Sequence, residues 1–259
     1  MHRHLAALCG AAALALAAVP AAVGQSVGDP ASAVFLLITA HHMPDGTWSG
    51  AGYGTAFFVE PDGHALTNSH VVYRAQHDPE QYRLLAIVGR EFYGATIVCA
   101  SRLQYDPTKP NPTGIAFSRD IAEIQLTEPA LPFKRWVLHT DPPYELAHAH
   151  EGALPTFPTL ALGRGAGQNE AVTVIGFGHI SPIPEVWTAS GMVTKDDIRI
   201  ADGTRAFELT FTAPAQPGNS GSPVLNDRHE VVGVYTWYGK TQSNIGWAQR
   251  IDSVTPACR

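Results

Sequence analysis

The sequence predicts an all-β protein of two antiparallel six-stranded β-barrels, with a site in the cleft between them. Three observations carry this. Short apolar runs fall into two groups of about six, parted by a stretch thick with Pro, His and Ala. Turn signals split neighbouring runs into hairpins. No long amphipathic helix interrupts them, and 24 Gly, 20 Pro and a charged fraction of 15% suit a turn-rich chain.

The first group opens with residues 33–39, a β-branched and aromatic run that reads as a buried strand. A Gly-rich loop is expected over 41–54. Residues 55–59 and 64–67 flank Pro61-Asp62-Gly63 and read as a hairpin whose second arm runs into Asn68-Ser69-His70-Val71-Val72. Further strands are expected at 82–88 and 93–100. A Pro- and Asn-containing loop then leads to residues 119–126, where apolar residues alternate at strand period. Residues 128–158 lack periodicity and read at their core as a connector.

The second group repeats the style. Strands are expected at 171–177 and 191–194, then two runs around Ala201-Asp202-Gly203-Thr204. A third hairpin follows from residues 223–225, an Asn226-Asp227 turn and residues 230–237, and a last strand is expected at 245–251. The expected organisation is a leader over 1–24, a first barrel over 25–135, a connector over 136–158 and a second barrel over 159–259.

The leader reading rests on a basic head, Met1-His2-Arg3-His4, an Ala- and Leu-rich run, and small residues up to Gly24. The run is short for a membrane span, which needs about 20 apolar residues. A secreted or periplasmic protein is therefore expected, with no membrane attachment after leader removal. Loss of 1–24, which holds one Arg and no acid, takes the formal net charge from −6 to −7. An acidic chain without a basic run is a poor partner for nucleic acid or anionic membrane. Cys99 and Cys258 remain, an isolated pair that reads as a disulfide in an exported chain. Nothing requires a second copy, and a monomer is expected.

Chemistry concentrates in Gln216-Pro217-Gly218-Asn219-Ser220-Gly221-Ser222-Pro223. Glycines flanking a serine admit backbone conformations closed to other residues and leave room for a substrate at the main chain. The stretch suits a nucleophile with an oxyanion hole, although Pro, Gly, Asn and Ser also make ordinary surface turns. A serine needs a base, and the base an orienting carboxylate. His70 and Asp120 supply both, in the order His, Asp, Ser. Alone, His70 could be a satisfied histidine and Asp120 a strand-capping residue. Together with Ser220 they form a catalytic constellation. His41, His42, His139, His148 and His150 are weaker metal candidates, in loops without paired Cys or acidic patterns, and no metal or cofactor is expected.

In these motifs the chain resembles the trypsin-like, chymotrypsin-fold serine proteases. The likeness is closer to bacterial members such as the glutamyl endopeptidases and the high-temperature-requirement protease domains. The matching segments are Gly54-Thr55-Ala56-Phe57-Phe58-Val59, Leu66-Thr67-Asn68-Ser69-His70-Val71-Val72, Asp120-Ile121-Ala122, Val174-Ile175-Gly176-Phe177, Pro217 to Pro223 and Val232-Gly233-Val234. The resemblance implies an endopeptidase acting on polypeptides. Ser220 would be nucleophile, His70 base, Asp120 its orienter, and the N–H groups of Gly218 and Ser220 the oxyanion hole. Asn219 stands where trypsin-like zymogens carry Asp, which argues against activation by a freed amine. Pro214, Ala215, Tyr235, Thr236, Trp237 and Tyr238 would line the substrate site. They lack the charge for Lys or Arg, and Ala215 and Tyr235 argue against Glu, so a shallow pocket for small or apolar side chains is expected. A catalytically silent binding protein on this scaffold, or an esterase using the same triad, are the alternatives.

Overall fold

The computed structural model describes residues 28–103, 119–129, 133–138, 142–178, 185–200, 203–211, 217–238 and 244–255. The leader, Cys258, Pro214, Ala215 and His139 lie outside these residues. After a short 3-10 turn, Pro30–Ala33, the first barrel is built from β1 (Val34–His42), β2 (Trp48–Phe58), β3 (His64–Thr67), β4 (Tyr82–Val88), β5 (Glu91–Ala100) and β6 (Ala122–Thr127). Helix α1 (Ser69–His77) lies between β3 and β4. The sheet order β4-β1-β2-β3-β6-β5 closes on itself through β4–β5 pairing. The second barrel is also closed, in the order β10-β11-β14-β13-β12-β9. Its strands are β9 (Ala171–Gly176), β10 (Trp187–Arg199), β11 (Arg205–Phe211), β12 (Pro223–Leu225), β13 (Val231–Tyr238) and β14 (Ile245–Arg250), followed by α2 (Ile251–Val254). Closure gives each barrel strand a neighbour on both sides over part of its length. The two closed six-stranded antiparallel barrels are of the chymotrypsin type.

Three expectations need correction. Residues 48–54 are strand rather than loop. Gly50, Gly52 and Gly54 pair with Ala40, Thr39 and Leu37, and a register shift at Thr39/Ala40 absorbs the irregularity. His70 is not at the end of a strand but in the first turn of α1, where Val71, Val72 and Tyr73 are buried. Two β-branched residues there mimic a strand, while packing of one face decides for helix. Finally, the connector holds an antiparallel hairpin, β7 (Arg135–Leu138) and β8 (Tyr144–Ala149), whose second strand pairs with β5 in parallel.

Each barrel has its own apolar interior, and a third cluster lies between them. Val34, Phe57, Leu66 and Ile121 of the first half meet Ile175, Leu225, Val231, Val234, Ile251 and Val254 of the second. The strap after β8 crosses this seam. Phe157 stacks on Phe58 at 4.4 Å, and the Gly163 N–H donates to the Val231 carbonyl (2.9 Å). Cys99 lies on β5. Among the described residues no helix is long and apolar enough to cross a membrane.

His150 ties the strap to the first barrel. Its Nδ1 faces Glu91 Oε2 (3.1 Å) and its Nε2 faces the Ala153 carbonyl (3.0 Å). Both partners only accept, so the geometry calls for a doubly protonated ring. The Ala153 carbonyl and then the Glu91 carboxylate hold the His150 pKa above its ordinary value. The Tyr93 hydroxyl, ahead of His150, holds that of Glu91 down. His148 Nε2 lies 3.7 Å from the same carboxylate. A raised histidine pKa stabilises fully below the ordinary value of about 6.5 and ceases to as pH rises through the folded value. The Glu91 contribution fades only as pH falls below about 4.3. The Tm gap between wild type and His150→Phe, which keeps the stacking on Tyr93, is therefore expected to be widest near about pH 5–6 and to narrow as pH rises beyond the ordinary histidine value of about 6.5. Thermal unfolding across that range checks this, and a gap that widens with pH contradicts it.

Candidate active site

The site forms where the barrels meet, and each side contributes different parts. From the first barrel, β3 ends at Thr67 and α1 begins, so His70 sits at a helix start facing the strand that Asp120 precedes. The His70 N–H donates to Asp120 Oδ1 (2.9 Å), and Nδ1 lies 2.5 Å from Oδ2. A carboxylate can only accept, so Nδ1 carries a proton, and in the neutral ring the lone pair is then on Nε2. That is the tautomer a general base needs.

Asp120 is wholly buried. A buried charge is tolerated only when its partners are well placed. The carboxylate has the two His70 donors, and the main chain is held as well. The Asp120 N–H donates to Gln249 Oε1 (2.9 Å) and its carbonyl accepts from Gln249 Nε2 (2.8 Å) and Asn68 Nδ2 (2.7 Å). Asn68 occupies the N-cap of α1 yet makes no side-chain cap bond. A cap is worth about 1 kcal/mol, and here the amide serves Asp120 and Thr236 instead. Ser69 braces the next residue, donating to the Ile121 carbonyl (2.5 Å) and accepting from the Ser101 N–H (2.8 Å).

From the second barrel comes the serine turn. Gly218 and Gly221 have φ of +100° and +89°. A Cβ at Gly218 would strike the Phe177 carbonyl, and one at Gly221 the Thr55 carbonyl and Thr67 Oγ1. Both conformation and space therefore demand glycine. Thr55, on β2, anchors the turn across the cleft. Its N–H donates to the Ser220 carbonyl (2.8 Å), and its hydroxyl donates to the Gly218 carbonyl (2.9 Å) while accepting from the Phe177 N–H (2.9 Å). The Gly221 N–H goes to the Tyr235 carbonyl and the Ser222 N–H to the Asn219 carbonyl. Among the described residues, neither the Gly218 nor the Ser220 N–H is committed to an internal acceptor. Both are thus available to an acceptor bound at the turn.

Asn219 is buried, and among the described residues its amide finds no partner. An Asp there would leave a buried charge uncompensated, so the amide fits this surrounding better than the acid.

The expected pocket residues separate. Tyr238 is 42% exposed, whereas Tyr235 is 1% exposed and turned into the second barrel against Phe211 at 5.5 Å. Thr236 is also buried, its hydroxyl accepting from Asn68 and Gln249 and donating to the Val234 carbonyl. Trp237 is half-buried. Sequence reasoning missed Thr55, Asn68, Thr236 in this role, and Gln249; no spacing signal links positions 129 residues apart such as Asp120 and Gln249. Among the described residues, the group whose donor atoms could share a metal ion is Glu60, Asp62 and His64, an exposed cluster at the β2–β3 turn, away from the expected histidines.

Comparisons with known proteins agree on one family and fold. Residues 54–234 match the trypsin-like peptidase domain. Two glutamyl endopeptidases from strains of Staphylococcus aureus, MW2 and MSSA476, are each 32% identical over 71 residues, 27% of this chain. That stretch spans 19% of those relatives. The crystal structure of Deg5 superposes with a TM-score of 0.55 at 17% identity, covering 86% of each chain. The Rv3671c protease of M. tuberculosis, in its inactive form, gives 0.52 at 17% identity over 87% of this chain and 86% of its own. At such identities the structural likeness speaks for fold.

Thr55→Val keeps the shape but deprives the Gly218 carbonyl and Phe177 N–H of their partner. It is expected to lower the unfolding free energy by about 2–3 kcal/mol, with Thr55→Ser recovering most of the loss. Chemical denaturation measures this, and a change under about 0.5 kcal/mol would show the anchor to be idle.

Proposed function

The chain belongs to the trypsin-like peptidase domain family, and from that premise we propose that it is an exported serine endopeptidase using Ser220, His70 and Asp120. The observation that carries this is the buried Asp120 carboxylate fixing the His70 ring through Nδ1, which leaves Nε2 free to act as base.

In the proposed reaction Ser220 Oγ attacks a peptide carbonyl while His70 Nε2 takes its proton. The oxygen of the tetrahedral intermediate sits on the N–H groups of Gly218 and Ser220. His70 returns the proton to the leaving amine, and an acyl-enzyme on Ser220 remains. Water, deprotonated by His70, then attacks that ester and releases the acid. Asp120 stays ionised throughout, holding the ring and stabilising its cationic form. One oxyanion donor is typically worth about 2.7–4 kcal/mol in the transition state.

The primary pocket is read as shallow and uncharged. Tyr235 fills space beside Gly246, and no acid or base stands among Pro214, Ala215, Thr236, Trp237 and Tyr238. This supports small or apolar side chains before the scissile bond. The leader-like residues 1–24 support export, which in turn favours a Cys99–Cys258 bridge.

One experiment tests both parts. Digests of a denatured protein are compared by mass spectrometry for wild type, Ser220→Ala and Asp120→Asn. Ser220→Ala is expected to be silent and Asp120→Asn about 10⁴-fold slower, with cuts after small or apolar residues. Undiminished hydrolysis by Ser220→Ala defeats the mechanism. Dominant cuts after Arg, Lys or Glu defeat only the pocket reading.

A further inference from the structure

We propose that Gln249 is a positioning residue for the triad, gripping the main chain of Asp120 from the opposite barrel. The inference rests on the reading of Ser220, His70 and Asp120 as a triad, and it concerns what keeps the two halves of that triad in register.

Asp120 precedes β6, so its own N–H and carbonyl have no strand partner. Gln249, on β14, supplies one. Its amide oxygen accepts from the Asp120 N–H (2.9 Å) and its amide nitrogen donates to the Asp120 carbonyl (2.8 Å). The side chain thus stands in for a neighbouring strand, meeting both polar groups of one residue. The second Nε2 hydrogen goes to Thr236 Oγ1 (3.0 Å). Thr236 Oγ1 also accepts from Asn68 Nδ2 (3.1 Å) and donates to the Val234 carbonyl (2.9 Å). A hydroxyl has one donor and two acceptor positions, and all are used. Asn68 spends its other amide hydrogen on the Asp120 carbonyl (2.7 Å). Asn68, Asp120, Thr236 and Gln249 are all buried.

This closed network has two members in each barrel. Its place matters because Asp120 and His70 belong to the first barrel and Ser220 to the second. Proton transfer needs the base within about 2.6–3.2 Å of the hydroxyl, and a displacement of about 1 Å can cost about 100-fold. Thr55 sets the register from the serine side; Gln249 sets it from the aspartate side. Only an amide fits the role. A carboxylate could not donate to Asp120 and Thr236, and an aliphatic chain could do neither.

The test uses the mature protein and a fluorophosphonate probe, whose labelling rate reads the activation of Ser220 without knowledge of the natural substrate. Gln249→Met keeps length and removes the amide. Its labelling is expected to slow about 10- to 100-fold, with the acid limb of the pH–rate profile moved to lower pH, because a loosened Asp120 stabilises the His70 cation less. A second reading is independent of serine chemistry. The downfield Nδ1 proton resonance of His70, present in wild type, is expected to shift upfield or broaden in the variant. If wild type does not label, the proposed function fails, while the resonance still decides the role of Gln249. If Gln249→Met does not fold, Thr236→Val, which removes the bond that steadies the Gln249 amide and that of Asn68 while leaving their bonds to Asp120 in place, is expected to show the same changes in smaller degree. A folded variant with the wild-type labelling profile and an unmoved resonance overturns the proposal.

Discussion

A main-chain hydrogen bond joins the two barrels at the serine turn: the Thr55 N–H, from the first barrel, donates to the Ser220 carbonyl, from the second (2.8 Å). Much of the local sequence answers to it. The approach of β2 excludes a side chain at Gly221, and the Thr55 hydroxyl fixes Gly218 through its carbonyl. With both carbonyls held, the Gly218 and Ser220 N–H groups are left available for an oxyanion. The serine, its flanking glycines and the threonine opposite are thus one mechanical unit.

Bulk association of the barrels comes from elsewhere. The seam of Phe57, Leu66 and Ile121 against Ile175, Val231 and Val234 is apolar. Each such buried side chain is worth about 1.5–3 kcal/mol, against about 1 kcal/mol for a hydrogen bond. Apolar contact is tolerant of small slips, however, and hydrogen bonds are not. The seam therefore holds the barrels together, while Thr55 on one flank and the Asn68–Asp120–Thr236–Gln249 network on the other define their register. The network has a cost. Asn68 forgoes capping α1, and its Oδ1 is left buried without a partner among the described residues.

The two barrels were legible because they depend on local signals: apolar runs and the turn residues between them. The misread parts depend on tertiary contact. Gly50, Gly52 and Gly54 look like a loop, but pairing with β1 makes them strand. Val71 and Val72 look like strand, but burial of one face makes them helix. Residues 135–149 show no alternation, yet β5 offers an edge on which they form β7 and β8. Gln249 is the extreme case. Its strand was expected, but a buried glutamine reads as chemistry only once Asp120 is seen against it. Tyr235 was expected among the pocket residues, and its ring packs inside the second barrel against Phe211, a contact that no local signal in the sequence announces.

The central claim is that docking of the barrels turns Ser220, and no other hydroxyl, into a nucleophile. Mapping the covalent adduct by mass spectrometry after brief exposure of the folded protein to a fluorophosphonate tests this most directly. The account predicts a single adduct on the peptide that carries Ser220, lost when the protein is unfolded beforehand and lost in His70→Ala. An adduct on a different residue, or equal labelling of the unfolded chain, would contradict it.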